Sequence, residues 1–81
     1  MNNKIYVLCE EFEGTDGIRC FTIIGVSQNE EKLKKCMNSK IASDDYGIIK
    51  KNGIKTYRET YFETYYEDGF IEYYITEEEL I

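Results

Sequence analysis

The sequence predicts an α+β domain of ββαββ type, with one helix packed across a mainly antiparallel four-stranded sheet. Three observations carry that expectation. The stretch Tyr57 to Thr76, YRETYFETYYEDGFIEYYIT, alternates on both sides of Asp68-Gly69. Asp-Gly between two such runs favours a hairpin, because a type I′ turn needs positive φ at both central residues. Two earlier apolar runs, Lys4 to Phe12 and Ile18 to Val26, flank the turn-forming segment Glu13-Gly14-Thr15-Asp16-Gly17. Between the two pairs of strands, the chain from Ser27 to Ala42 switches from strand to helical periodicity. A helix on one face of a sheet is the simplest two-layer solution. At 81 residues the chain makes a single domain, 1–81, without room for a second core.

The first strand, KIYVLCEEF, directs Ile5, Val7 and Cys9 to one face and Tyr6, Leu8 and Phe12 to the other. The returning strand, IRCFTIIGV, also carries apolar groups on both faces. That pattern fits central strands, or a face covered by a partner subunit. Ser27-Gln28-Asn29-Glu30 matches the capping box, with Ser27 as N-cap and Glu30 reaching back to it. Leu33, Cys36, Met37 and Ile41 then form a narrow apolar stripe, while Glu31, Lys34, Lys35, Asn38 and Lys40 face water. In Ser43 to Lys55, Gly47 is a helix stop, Asn52-Gly53 a tight turn, and Ile48-Ile49 a short strand leading into the next.

Folding the final hairpin on a two-residue turn at Asp68-Gly69 sets Glu67 opposite Phe70, Tyr65 opposite Glu72 and Glu63 opposite Tyr74. One face then collects Phe62, Thr64, Tyr66, Ile71, Tyr73 and Ile75, which suits a core. The other collects Glu59, Tyr61, Glu63, Tyr65, Glu67, Phe70, Glu72 and Tyr74, a chequerboard of carboxylates and aromatics. Tyrosine is enriched at interface hot spots, so these eight residues are the candidate partner-binding surface. The competing explanation is a solvated face on which tyrosine serves β propensity and cross-strand packing.

Net charge is −6 and unevenly placed. Residues 57–81 hold eight acids and one base, whereas residues 1–56 hold eight acids and nine bases. An acidic field on one element disfavours direct nucleic-acid binding, which wants a basic surface, and favours a basic protein partner. Histidine is absent, removing the commonest general base and metal ligand. Cys9, Cys20 and Cys36 are scattered singly and read as buried free thiols, so neither a metal nor a cofactor is expected. Paired carboxylates such as Glu63 and Glu72 suggest acid–base chemistry only inside a cleft, and no nucleophile, base and orienting group can be named. Asp44-Asp45 and Glu77-Glu78-Glu79 lack EF-hand spacing. No apolar run approaches the roughly 18 residues of a membrane span, and MNNKIYV lacks a signal peptide's apolar region, so a soluble cytoplasmic protein is expected.

Residues two apart on a strand face stand about 6.6–6.8 Å apart and those four apart about twice that, a scale similar to phosphate spacing along a duplex. Glu59, Glu63 and Glu67, joined by Glu72 across the ladder, would present such a row to lysines and arginines. The composition, rich in Ile, Lys, Asn, Tyr and Glu without Pro, His or Trp, looks like the product of an AT-rich genome. In size, charge and the Tyr/Glu hairpin the chain resembles small acidic inhibitors from phage and mobile elements, the anti-CRISPR proteins among them. The resemblance implies a non-enzymatic inhibitor in a bacterial host cell that occupies the nucleic-acid groove of a nuclease. An alternative from a different class is a structural or regulatory protein that self-associates through apolar strand faces. That homodimer would be joined through Tyr6, Leu8 and Phe12, or through Ile5, Val7 and Cys9.

Overall fold

The computed structural model describes residues 3–14, 17–45, 47–66 and 69–79. Its element order is β1 (Lys4–Glu13), β2 (Arg19–Ser27), α1 (Glu30–Ser43), α2 (Ile48–Asn52), β3 (Thr56–Arg58), β4 (Tyr61–Tyr66) and β5 (Gly69–Glu79). The class is α+β, with one main helix on an antiparallel sheet. The sheet has five strands, in the order β2-β1-β5-β4-β3, where four were expected. The extra strand arises because Tyr57 to Tyr66 is not one run. It folds back at Glu59-Thr60, placing Tyr57 opposite Phe62. No Gly, Pro, Asn or Asp marks that turn. It is held from a distance, by the Ile75 N–H donating to the Thr60 carbonyl at 3.0 Å.

Both helices lie on one face of the sheet, α1 across β2, β1 and β5 and α2 against β4. The core forms where Leu33, Met37 and Ile41 of α1 meet Leu8, Phe62, Ile71 and Tyr73. Leu8, Met37 and Phe62 are fully buried, and the Phe62 ring meets Tyr57 edge-on at 5.7 Å. Cys36 packs half-buried beside this cluster, completing the stripe read from sequence. Gly25 of β2 sits where α1 crosses closest. A β-carbon there would stand 3.3 Å from the Leu33 side chain.

A β-bulge breaks the β1–β2 register, because Leu8 pairs Gly25 while Cys9 pairs Ile23. The extra residue, Ile24, packs against the core. Without the bulge, Ile23 and Val26 would fall on opposite faces; with it, both face away from the helices. Glu10 lies on the helix side, opposite Tyr73 and Thr22. It is buried, and its Oε2 has no hydrogen-bond partner, a defect that costs about 1–3 kcal/mol in a buried polar group.

Two local assignments change. Asn29, not Ser27, is the N-cap of α1, accepting from the Lys32 amide at 3.4 Å. Ser27 instead accepts from the Asn29 amide at 3.0 Å, bending the chain out of β2. Glu30 reaches forward to Lys34 rather than back to the cap. Ile48-Ile49 opens the short helix α2 and not a strand. The reason is Asp44, whose backbone closes α1 in the left-handed conformation (φ 45°). Its side chain then accepts from the Ile49 and Lys50 amides, both at 2.9 Å, capping α2.

One aspartate thus ends one helix and begins the next. Asp44→Ala removes both carboxylate bonds and places alanine in a left-handed backbone, so stability falls by about 1–2 kcal/mol. Asp44→Asn keeps a side-chain acceptor and tolerates that backbone, and loses less. Urea midpoints of the two variants, measured at equal slope, check the order.

Candidate functional site

The helix-free side of the sheet can be read as rows running across the strands. One row is Arg19, Glu13, Phe70 and Tyr65. The next is Phe21, Glu11, Glu72, Glu63 and Thr56, and the one after it Ile23, Cys9, Tyr74, Tyr61 and Arg58. Val26, Val7 and Thr76 form a further row. The face therefore divides. Its β1–β2 half carries Ile5, Val7, Cys9, Phe21, Ile23 and Val26 together with Glu11, Glu13 and Arg19, and its β4–β5 half carries tyrosines and carboxylates.

The hairpin register differs from the one expected, because Tyr66 pairs Gly69 and Glu63 pairs Glu72. The slip moves partners by two positions, so each residue keeps its face while its neighbour changes. Of the eight candidate binding residues, Tyr61, Glu63, Tyr65, Phe70, Glu72 and Tyr74 share the helix-free face. Glu59 does not. It occupies the β3–β4 turn, 86% exposed, and its carboxylate lies 3.8 Å from the Lys34 ammonium on α1. The row Glu59–Glu63–Glu67 along one strand is thereby lost. Glu67, Asp68 and the side chain of Tyr66 lie outside the described residues. On the opposite face of the hairpin, Phe62, Thr64, Ile71 and Tyr73 are buried and Ile75 half-buried, as the alternation required.

Glu11 is the site residue that hairpin reasoning missed. It belongs to β1, and only the pairing of β1 with β5 brings it directly opposite Glu72. Glu11, Glu72 and Glu63 thus stand side by side on three adjacent strands, about 4.7–4.9 Å apart between neighbouring backbones. Like charges directly opposite one another are destabilising. Burial, then Glu11 and Glu63, push the Glu72 carboxyl above its usual range, with Arg19 and a hydrogen bond from Tyr61 opposing them. Glu63, only 13% exposed, is shielded by donors. Tyr61 and Tyr65 donate to its Oε2 at 2.9 and 3.0 Å, and Lys55 lies 3.9 Å from Oε1. Burial and the bond to Glu63 push the Tyr61 hydroxyl up to about 12, so it stays protonated and donating.

Cations bracket the row at both ends. The Arg19 guanidinium stacks 4.8 Å from the buried Phe70 ring, and the Lys55 ammonium stands 3.8 Å over Tyr65. Within the row itself no cation separates the three carboxylates. Tyr74 beside it is raised by burial, then by Glu11, and the Cys9 thiol is raised by the same two causes. Cys9 is buried, Cys36 half-buried and Cys20 exposed, so the expectation of three buried thiols fails at Cys20. That residue lies near the start of edge strand β2, opposite Phe12.

A concavity of about 420 Å³ lies between α1 and β3 and is lined by Glu31, Lys34, Lys35, Asn38, Tyr57, Arg58 and Glu59. Lys34 there is surrounded by Glu30, Glu31 and Glu59, and Tyr57 donates to Asn38. These contacts tie the β3–β4 turn to the helix and mark the groove as structural. Among the described residues no group of three acidic or thiol side chains is placed to hold a metal ion. No described helix is long and apolar enough to cross a membrane. No protein-family model, curated protein or solved structure matches the chain.

Glu72 gives the row a pH signature. A carboxyl raised in the fold favours its protonated form, so the native state loses stability as pH rises through the carboxylate range. Glu72→Gln abolishes that loss. The variant is expected to be more stable than the natural chain at pH 7, with the difference vanishing below about pH 4. Urea unfolding across that range checks it, and a constant difference at all pH values contradicts it.

Proposed function

We propose that the protein is a non-enzymatic, stoichiometric binding module that presents the acidic, tyrosine-flanked part of its helix-free face, on β1, β5 and β4, to a basic protein surface. The observation that carries this reading is the row Glu11–Glu72–Glu63, set side by side with no cation between them. In the isolated chain such a row is repulsive. A lysine- or arginine-lined partner surface relieves the repulsion, so part of the binding energy is already stored in the free protein. Tyr61, Tyr65 and Tyr74 flank the row and supply aromatic contact area around the charges.

A surface that receives carboxylates in a row is the kind that also receives phosphates. The partner is accordingly read as a nucleic-acid-binding protein, and the mode of action as occupation of its nucleic-acid groove. A defence nuclease of the CRISPR type fits that description. Electrostatic steering by a chain of net charge −6 would speed the encounter.

The test uses neutral variants, because reversing the mostly buried Glu63 would also break its bonds to Tyr61 and Tyr65. The natural chain is immobilised and used to capture proteins from a bacterial lysate, in parallel with Glu11→Gln/Glu72→Gln. The expected captured protein is basic, is released by added salt and competes with nucleic acid for the chain. The double variant is expected to fold more stably and yet to lose at least about tenfold in affinity, or about 1.4 kcal/mol. Full retention by the double variant, or a partner displaced by neither salt nor nucleic acid, refutes the reading.

A further inference from the structure

The acidic surface already carries a cation of its own. The Lys55 ammonium stands 3.8 Å over the Tyr65 ring and 3.9 Å from Glu63 Oε1. A position over an aromatic face is one that proteins use to hold ammonium and guanidinium groups. Glu63 completes the arrangement. Tyr61 and Tyr65 both donate to its Oε2, at 2.9 and 3.0 Å, which fixes the carboxylate with Oε1 on the side of Lys55. At 3.9 Å the ammonium is beyond hydrogen-bond reach, and among the described residues no other group donates to Oε1. The chain's own lysine therefore faces this acceptor without satisfying it.

We infer that the Tyr65 ring and Glu63 Oε1 form a subsite for a lysine or arginine side chain of the partner, which Lys55 fills in the free chain and leaves on binding. The inference rests on the basic partner proposed above, and adds to it one subsite and that subsite's internal competitor. Lys55 is suited to be displaced. Its side chain is 56% exposed, so its departure uncovers little surface. Its backbone N–H donates to the Glu63 carbonyl at 3.0 Å, which holds the main chain in place while the flexible four-carbon stem swings away. Exposed ion pairs and exposed cation–π contacts are each weak. Arg19 at the other end of the surface is different, because it covers the buried Phe70 ring and would uncover it on leaving.

A partner cation bound at this subsite has to replace Lys55, so the natural chain binds more weakly than it would with the subsite empty. Removing the lysine should then tighten binding. Removing any lysine also makes the chain more acidic, and a control is needed for that long-range effect. Lys51 provides it, being an exposed lysine on α2, on the opposite side of the sheet.

Titration of the full chain with hexalysine, followed by NMR, tests the inference. In the free chain the Tyr65 ring is expected to shift the ε-methylene protons of Lys55 upfield, and added peptide to return them to the ordinary lysine position. Lys55→Gln is expected to bind hexalysine at least about threefold more tightly than Lys51→Gln, which carries the same net charge. Most of that advantage should vanish in a Tyr65→Leu background. Peptide binding that moves the signals of Glu11 and Glu72 while Lys55 stays upfield overturns the inference and leaves the binding module standing. So does equal affinity of the two glutamine variants, or a Lys55 methylene with no upfield shift in the free chain. Hexalysine that moves no signal of the acidic row overturns both readings.

Discussion

Everything in this fold depends on one contact, the stripe Leu33, Met37 and Ile41 of α1 pressed onto Leu8, Phe62, Ile71 and Tyr73. A chain of this length buries only somewhat more than about 60% of its unfolded surface, so a single helix layer is all the cover it can provide. That layer must come close to be effective, and Gly25 allows it to do so over β2. At the far edge the short helix α2 takes over, placed on β4 by the Asp44 caps and by the Thr64 hydroxyl donating to the Gly53 carbonyl at 2.6 Å.

Covering one side of a five-stranded sheet leaves the other side to be made compatible with water. The β4–β5 half does this with polar side chains that satisfy one another. Tyr61 and Tyr65 converge on one oxygen of Glu63, while Arg19 and Lys55 lie over Phe70 and Tyr65. Even so, Glu11 and Glu72 are left beside Glu63 at a cost that burial makes larger. A merely solvated face would be served as well by threonine or by alternating charges. The three carboxylates in one row are the observation on which the proposed cationic partner rests.

Strand β2 meets the same constraint differently. Phe21, Ile23 and Val26 of β2 stay exposed, while β1 contributes Glu11 and Glu13 to the charged rows. One continuous face therefore carries an apolar patch centred on β2 and carboxylate rows that run from β1 across β5 to β4.

Local periodicity alone determined much of this protein. The period-two alternation of β4 and β5 sorted Phe62, Thr64, Ile71 and Tyr73 from Tyr61, Glu63, Tyr65, Glu72 and Tyr74. The sorting survived the altered register because a two-residue slip leaves faces unchanged. The helical stripe was legible for the same reason, as was the concentration of acid in residues 57–81. Contacts between distant segments decided the rest. The turn at Glu59-Thr60 has no local signal and exists through its bond to Ile75 and the packing of Tyr57 on Phe62, which is why a single strand became two and Glu59 turned to Lys34. Asp44 reads as a solvated acid until two helices meet at it. Glu11 lies sixty-one residues from Glu72 in the chain, and no pattern within either strand announces that β1 and β5 are neighbours. Strand order is a property of how the helix layer closes over the sheet, so the carboxylate row appears only once the tertiary structure has formed.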